Sequence, residues 1–124
     1  MQRDMDLIRK ILITVEEATS TLGTIEVKID GYTEQQIAYH VALLREAGLL
    51  HAVDLSSKSG LRFLPTRLTW EGHEFLDAAR NDSLWRKTKE AAGKVGSLTF
   101  DAFKSILIQL GIEAARGYLS LPPP

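Results

Sequence analysis

The sequence predicts an α+β fold: a helix, a short strand, a second helix and a β-hairpin, followed by three more helices. Two observations predict it. Apolar residues recur at helical spacing in some segments and alternate with polar residues in others. Cap and turn residues, chiefly Thr33, Gly48 and the run 56–60, stand where these patterns change. A chain of 124 residues is the usual size of one domain, so we expect a single domain over 1–124.

The first two elements are a helix over 4–18 and a strand over 24–29. Met5, Ile8, Leu12 and Val15 follow one another in steps of 3, 4 and 3, which is helical spacing. The segment 24–29 alternates strictly between polar and apolar residues, which predicts a half-buried strand.

The second helix and the hairpin form the centre of the predicted fold. Thr33 and Gln36 fit a capping box, and Gly48 stands where a left-handed C-terminal cap is expected. The period then changes, and 49–55 and 61–64 read as two strands joined by the polar turn 56–60. Pro65 is expected to limit the second strand.

Three C-terminal helices complete the chain. Thr69 caps a helix that runs to about Arg80, Asp82 or Ser83 caps the next, and the last runs from 98–99 to near Gly117. We therefore expect a core over 4–80, a helical extension over 82–119 and a Pro-rich tail over 120–124 that is not helical.

A helix followed directly by a two-stranded hairpin is typical of the winged helix-turn-helix, in which the helix enters the major groove and the hairpin is the wing. The segment 37–50 resembles the recognition-helix region of bacterial repressors of the ArsR and MarR type, and 68–72 resembles their Leu-Thr-x-x-Gly string. The matching positions of the first segment are His40, Val41, Leu44, Ala47, Gly48, Leu49 and Leu50. Those repressors have a separate short helix before the recognition helix, for which only 19–23 is available here.

A second resemblance covers nearly the whole chain. The segments 3–10, 31–32, 37–40 and 68–77, together with Trp85, resemble a family of hypothetical proteins from bacteria and phages that is catalogued as a domain of unknown function. The resemblance implies a winged-helix-like architecture and a mobile-element context, and it implies no established activity.

Composition excludes several classes of function. Lys and Arg number 15 against 16 Asp and Glu, so the net charge of −1 excludes binding to nucleic acid by bulk positive charge. The absence of cysteine excludes disulfides, cysteine nucleophiles and cysteine-based zinc sites. The string from His73 through Glu74 to Asp77 lacks the second histidine of a zinc-binding helix, and no phosphate-binding loop is present. We expect no enzymatic activity, no cofactor and no metal.

The residues predicted to contact DNA lie on the second helix and on the hairpin. They are Gln35, Gln36, Tyr39 and His40 of the helix and Lys58 and Arg62 of the hairpin. The hairpin region carries three basic residues and no acidic one, whereas the helix carries Arg45 against Glu34 and Glu46. The function expected is duplex DNA binding by a phage or mobile-element transcriptional regulator. The alternative is a protein-interaction module that keeps the fold without binding DNA, its charged positions being an ordinary solvated surface.

The last helix carries a heptad-like pattern. Its apolar residues at steps of 3, 4, 3 and 4 are Phe100, Phe103, Leu107, Leu110 and Ala114. We expect these residues to form a homodimer interface, and burial within the monomer is the alternative.

The N-terminal residues 1–4 do not fit a signal peptide, and no uncharged apolar run of about 18 residues occurs. We therefore expect a cytoplasmic protein that is not held in a membrane.

Overall fold

The computed structural model describes residues 1–18, 23–96 and 98–119. Over these residues the chain forms helices and one antiparallel two-stranded sheet, which confirms the predicted α+β class. The elements are α1 (Met5–Glu17), α2 (Glu34–Glu46), β1 (Leu50–Asp54), β2 (Phe63–Leu68), α3 (Trp70–Ala79), α4 (Asp82–Val95) and α5 (Phe100–Leu119). The predicted tail over 120–124 lies outside the described residues, as does 19–22.

The chain divides into two compact units, Met1–Leu76 and Asp77–Pro124. In the first unit α1, α2 and β2 contact one another around a core of aliphatic side chains. Its most buried members are Leu7, Ile8, Ile11 and Leu12 of α1, Val41 and Leu44 of α2, Leu49 and Leu50 at the start of the hairpin, and Leu76 of α3. The apolar stripes seen in the sequence are therefore the helix faces that are buried in the core.

The predicted strand over 24–29 is wrong. The segment forms no strand, although the backbone N–H of Ile25 donates to the carbonyl of Pro65 at 2.8 Å. Alternation of polar and apolar residues makes a segment able to pair, but a strand also needs a partner edge over several residues. Here it lies beside β2 and makes this one ladder-type bond.

β1 and β2 pair antiparallel, and the second strand is longer at its C-terminal end than predicted. It begins at Phe63 and continues through Pro65 to Leu68. The register shifts between His51 and Ala52, so that Pro65 stands at a bulge. Proline is tolerated inside a strand at such a position because the ladder is already interrupted there.

Local capping signals specify most of the helix ends. Thr33 and Gln36 form the predicted capping box, and Gly48 has a φ of 77°, the left-handed conformation expected after α2. The start of α4 differs from the prediction, because Asn81, and not Asp82 or Ser83, accepts from the N–H of Leu84 at 3.0 Å. Asparagine and aspartate are about equally good N-caps, so the composition alone does not choose between neighbours.

Asp4, Tyr32 and His40 meet at the N-terminus of α1. One carboxylate oxygen of Asp4 accepts from the N–H of Leu7 at 3.1 Å, and the other accepts from the hydroxyl of Tyr32 at 3.1 Å. The N–H of Asp4 itself donates to Nε2 of His40 at 2.8 Å. Three of the strings that carry the family resemblance therefore meet in one hydrogen-bonded cluster that joins α1 to α2.

The phenol of Tyr32 is expected to ionise at a higher pH than an ordinary tyrosine. Burial raises the pKa of Tyr32 above its ordinary value, and the hydrogen bond to Asp4 and the charges of Asp4 and Asp6 raise it further. A raised pKa means that the folded chain holds the proton more tightly, so this stabilisation is complete below about pH 10 and is lost at higher pH. Subtracting the alkaline absorbance titration of Tyr32→Phe from that of the wild type should give a midpoint above 10. A midpoint at or below that value would contradict the hydrogen bond.

The start of α3 is packed closely against the end of α2. Thr69 caps α3 as predicted, because its hydroxyl accepts from the N–H of Gly72 at 3.0 Å, and it also donates to the carbonyl of Gly48 at 2.6 Å. A Cβ added to Gly72 would overlap the carbonyl oxygen of Leu49. The Leu-Thr-x-x-Gly string is therefore explained by packing between two backbone segments.

In the second unit α4 and α5 pack against each other. The rings of Trp85 and Phe103 meet edge to face, with centroids 5.2 Å apart. Phe103 and Leu107 are 4% and 0% exposed. These two members of the predicted dimer interface are therefore used inside the chain and offer no surface to a partner, which corrects that part of the assignment. Self-association itself stays a prediction.

Candidate nucleic-acid interface

The tip of the hairpin is a tight, internally bonded turn. Ser57 and Gly60 exchange both of their backbone hydrogen bonds at 3.1 Å, which leaves Lys58 and Ser59 as the two central residues. The hydroxyls of Ser57 and Ser59 lie 2.7 Å apart, in hydrogen-bond contact. Lys58 is exposed at the end of this turn, as the sequence predicts for a wing tip.

Below the tip, side-chain and backbone hydrogen bonds continue the hairpin. The N–H of Leu55 donates to the carbonyl of Arg62 at 2.7 Å, and the N–H of Arg62 donates to the hydroxyl of Ser56 at 3.0 Å. The N–H of Ser56 donates to Asp54 at 2.9 Å, and the hydrogen bonds to Ser56 lower the pKa of the Asp54 carboxyl, with a smaller contribution from Arg45. These bonds give the tip a defined backbone conformation.

The N-terminal end of α2 lies against this tip. A Cβ built on Gly60 would be 3.3 Å from Nε2 and 3.5 Å from Oε1 of Gln35, so the amide of Gln35 covers the Gly60 backbone. Gly60 has a φ of 141°, which disfavours any other residue there. The sequence places Gln35 and Lys58 on the same candidate surface, and the structure brings their segments together.

The other helix residues differ in what they present. Tyr39 is half-buried, and its ring meets the ring of His40 edge to face with centroids 5.8 Å apart. Oε1 of Gln36 accepts from the N–H of Thr33 at 2.8 Å, so the amide of Gln36 is already engaged in the capping box. Of the four predicted helix contacts, Gln35 is the one that is exposed.

The placement of His40 on the DNA-facing surface is a misassignment. Its side chain is 1% exposed, and both ring nitrogens are used inside the chain. Nε2 accepts from the N–H of Asp4, and Nδ1 lies 2.7 Å from the carbonyl oxygen of Gln36. Because a carbonyl only accepts, Nδ1 carries the proton and the ring is neutral in this arrangement. His40 is a structural histidine with no ring nitrogen left for a base or a phosphate.

Arg62 lies on the outside of the hairpin and has an acidic neighbour. Its guanidinium is 3.9 Å from the carboxylate of Glu26, and the two side chains are 60% and 69% exposed. Ion pairs this exposed contribute little stability, because water and salt screen them. Sequence reasoning missed Glu26, which it placed on a strand; no local signal reveals a contact between residues 36 positions apart.

A groove of about 350 Å³ lies between the 26–28 segment, the start of α2 and the hairpin. Leu55, Leu61 and Phe63 contribute apolar walls, and charged side chains are also present on its lining. Those charged residues are Glu26, Lys28, Glu34 and Arg62. Two acidic and two basic side chains share the lining, so its field favours neither a purely anionic nor a purely cationic ligand. Lys28 is a second basic residue that sequence reasoning did not assign to the site.

A metal site receives no support. His73 lies 3.9 Å from Glu16 and has no histidine partner one turn away. Over the ranges 1–18, 23–96 and 98–119, no group of three or more histidine or acidic side chains could hold a metal ion.

Comparison with known proteins gives a family and no activity. A family described as "Hypothetical protein (DUF2513)" matches residues 2–99, which confirms the predicted resemblance to a family of hypothetical proteins. An "Uncharacterized protein" of Haemophilus influenzae is 38% identical over 110 residues, covering 86% of this chain and 92% of that protein. No solved structure matches the chain. Among the described residues, no helix is both long and apolar enough to span a bilayer.

Proposed function

Since the chain belongs to the DUF2513 family of hypothetical proteins, whose description names no activity, we propose from its own surface that it binds duplex DNA. In this proposal α2 and the β1–β2 hairpin act as the reading helix and wing of a winged helix-turn-helix. Gln35 and Tyr39 face the major groove, and Lys58 meets a phosphate or the minor groove beside it. The protein regulates transcription by occupying a site, without catalysis.

The contact between Gln35 and Gly60 carries the proposal. It makes the first turn of α2 continuous with the hairpin tip, although the two segments are 25 positions apart. A reading helix and a wing can engage neighbouring grooves only when they are held side by side. A glutamine amide can also donate to and accept from an adenine edge, which suits Gln35 for base contact.

The basic residues of this surface are expected to contribute unequally to DNA binding. Lys58 is exposed at the tip, and Arg67 is exposed on β2. Arg62 has Glu26 beside it, and that carboxylate repels a phosphate that approaches the guanidinium. We therefore expect Lys58 to contribute more to binding than Arg62. Because this surface offers few basic side chains to the phosphates, a second copy of the chain on the DNA is needed to reach the affinity of a typical regulator.

A protein-interaction module is the second candidate function, and the groove beside the hairpin is the observation that favours it. Leu55 and Leu61 are 46% and 41% exposed there, and Glu26 and Glu34 interrupt the positive charge of the hairpin. Exposed apolar side chains beside groups of both charges suit an extended peptide better than a phosphate backbone. Absence of any complex with DNA at low salt would favour this function.

Replacing Lys58 with alanine should weaken DNA binding in a salt-dependent way. Each phosphate neutralised contributes about 0.9 to the slope of log affinity against log salt, so Lys58→Ala should reduce that slope by about 0.9. Arg62→Ala should reduce it by less, because Glu26 already partly neutralises the guanidinium. The measurement is fluorescence anisotropy between about 50 and 200 mM salt on duplex DNA from the region flanking the gene.

Lys87→Ala is the matched control, since Lys87 is an exposed lysine on α4, outside the proposed surface. It should leave the slope unchanged. An unchanged slope for Lys58→Ala, or an equal loss for Lys87→Ala, would contradict binding through the hairpin.

A further inference from the structure

The C-terminal end of α5 extends beyond the helix that covers its beginning. α5 has 20 residues and α4 has 14, so α5 is longer by about 9 Å at 1.5 Å per residue. Leu84 near the start of α4 lies beside Gly111, because a Cβ added there would be 3.8 Å from Cδ1 of Leu84. Every residue from 112 to 119 is exposed. The last two turns of α5 therefore have no cover from α4.

This exposed end carries a second apolar stripe. Its members are Ile108, Ile112, Ala115 and Leu119, in steps of 4, 3 and 4. Ile108, Ile112 and Leu119 are 37%, 41% and 81% exposed. At 3.6 residues per turn the four lie within about 60° of one another, on a different side of the helix from Phe103 and Leu107. A helix end with no tertiary contact is marginally stable, so the stripe is expected to be covered by a partner.

We propose that two copies of the chain pair antiparallel through this stripe. A two-fold axis between Ile112 and Ala115 places each Ile112 opposite Ala115 of the second copy and each Ile108 opposite Leu119. The pairing has four layers. The two outer layers each pair Ile108 with Leu119, and the two inner layers each pair Ile112 with Ala115, so apolar side chains face each other in every layer, as in a two-stranded coiled coil. The pairing uses every member of the stripe.

The residues that flank the stripe favour the antiparallel direction. Gln109 and Arg116 lie on one flank, and Gly111 and Tyr118 lie on the other. Antiparallel pairing brings Arg116 of one copy between Gln109 and Glu113 of the other. Within each copy, the amide of Gln109 donates to the carboxylate of Glu113 at 3.4 Å. Antiparallel pairing also brings the 77% exposed Tyr118 over Gly111 of the other copy, where there is no side chain.

Parallel pairing lacks this complementarity. It would place Arg116 beside the flank of Gly111 and Tyr118, which carries no acid. Glu113 and Arg116 lie three residues apart on the exposed helix end. Their positions therefore favour a second, antiparallel copy of the chain as the partner that covers the stripe.

Sedimentation equilibrium with Ile112→Asp tests the interface. The wild type should form a dimer that dissociates on dilution into the micromolar range, because a two-heptad interface is small. Ile112→Asp buries a charge against Ala115 of the other copy and should raise the dimer Kd by at least ~10-fold. Ala114→Asp is the matched control, since Ala114 is exposed on the same helix and lies about 130° from the centre of the stripe at 3.6 residues per turn. It should change the Kd by less than ~2-fold.

Exchanging the two flanking charges tests the direction. Arg116→Glu should weaken the dimer, and the double variant Arg116→Glu with Glu113→Arg should restore it. A wild type that is monomeric at all concentrations, or that binds lipid vesicles as a monomer, overturns the proposal. An equal effect of Ala114→Asp, or a charge exchange that restores nothing, also overturns it. The near-ultraviolet signal of the Trp85–Phe103 pair shows whether each variant keeps the fold of this unit.

Discussion

Gly72→Ala should destabilise the protein by about 3 kcal/mol or more, since overpacking a rigid site costs this much. The added methyl group would overlap the carbonyl oxygen of Leu49, and it would also approach the carbonyl carbon of Leu49 at 3.0 Å and Cβ of Leu68 at 3.4 Å. The first two obstacles are backbone atoms, which cannot rotate away as a side chain can. Thermal unfolding followed by circular dichroism should show a melting temperature lower by about 10 °C or more.

The same substitution at Gly93 should have the opposite sign. Gly93 is inside α4, and a Cβ built there meets nothing within 4 Å. Alanine is the better helix former by about 1 kcal/mol, so Gly93→Ala should raise the melting temperature. Two glycine-to-alanine changes in helices would then differ in sign because of one backbone contact. Equal stability of wild type and Gly72→Ala would show that α3 does not pack on the end of α2 as described.

Local signals predicted most of the helix ends because each end is decided by residues close together in the chain. Thr33 with Gln36, and Gly48 after α2, need no knowledge of the rest of the molecule. Strand formation is different, because it depends on an edge supplied by another segment. The alternating segment 24–29 meets β2 at Ile25 and forms no ladder, and no pattern within it reveals this.

In the candidate site, features that depend on nearby residues were predictable, and features that depend on distant segments were not. The exposure of Lys58 follows from its position in a polar turn of the hairpin. The neighbours of Gln35 and Arg62, which are Gly60 and Glu26, come from distant segments and decide how each side chain is used.

His40 shows why a helical stripe alone can misplace a polar residue. It lies three positions after Ile37, about 60° from it around the helix, at the edge of the buried stripe. Whether an edge position faces water depends on the neighbouring element. Here the N-terminus of α1 covers it, and its backbone N–H supplies the donor that makes a buried imidazole acceptable.

His40→Leu should therefore destabilise the fold by about 2 to 4 kcal/mol while leaving the proposed DNA-binding surface intact. Leucine fills most of the space, but it cannot accept from the N–H of Asp4, and that buried donor loses its partner. Urea unfolding should show a lower midpoint with an unchanged slope against urea concentration. Tyr39→Phe is the control, because it removes a neighbouring polar group and keeps the ring that contacts His40. Its free energy of unfolding should stay within about 0.5 kcal/mol of that of the wild type.

DNA binding separates a structural His40 from one that contacts the ligand. His40→Gln restores a side-chain acceptor, so it should recover part of the stability that His40→Leu loses. Measured at a temperature where the variants are folded, the DNA affinity and salt slope of both His40 variants should equal those of the wild type. Lys58→Ala should show the reverse pattern, with normal stability and a reduced salt slope, because Lys58 is exposed and His40 is buried. If folded His40→Gln lost affinity for DNA as Lys58→Ala does, the cluster of Asp4, Tyr32 and His40 would have to open when DNA binds, which contradicts its assignment as a fixed structural cluster.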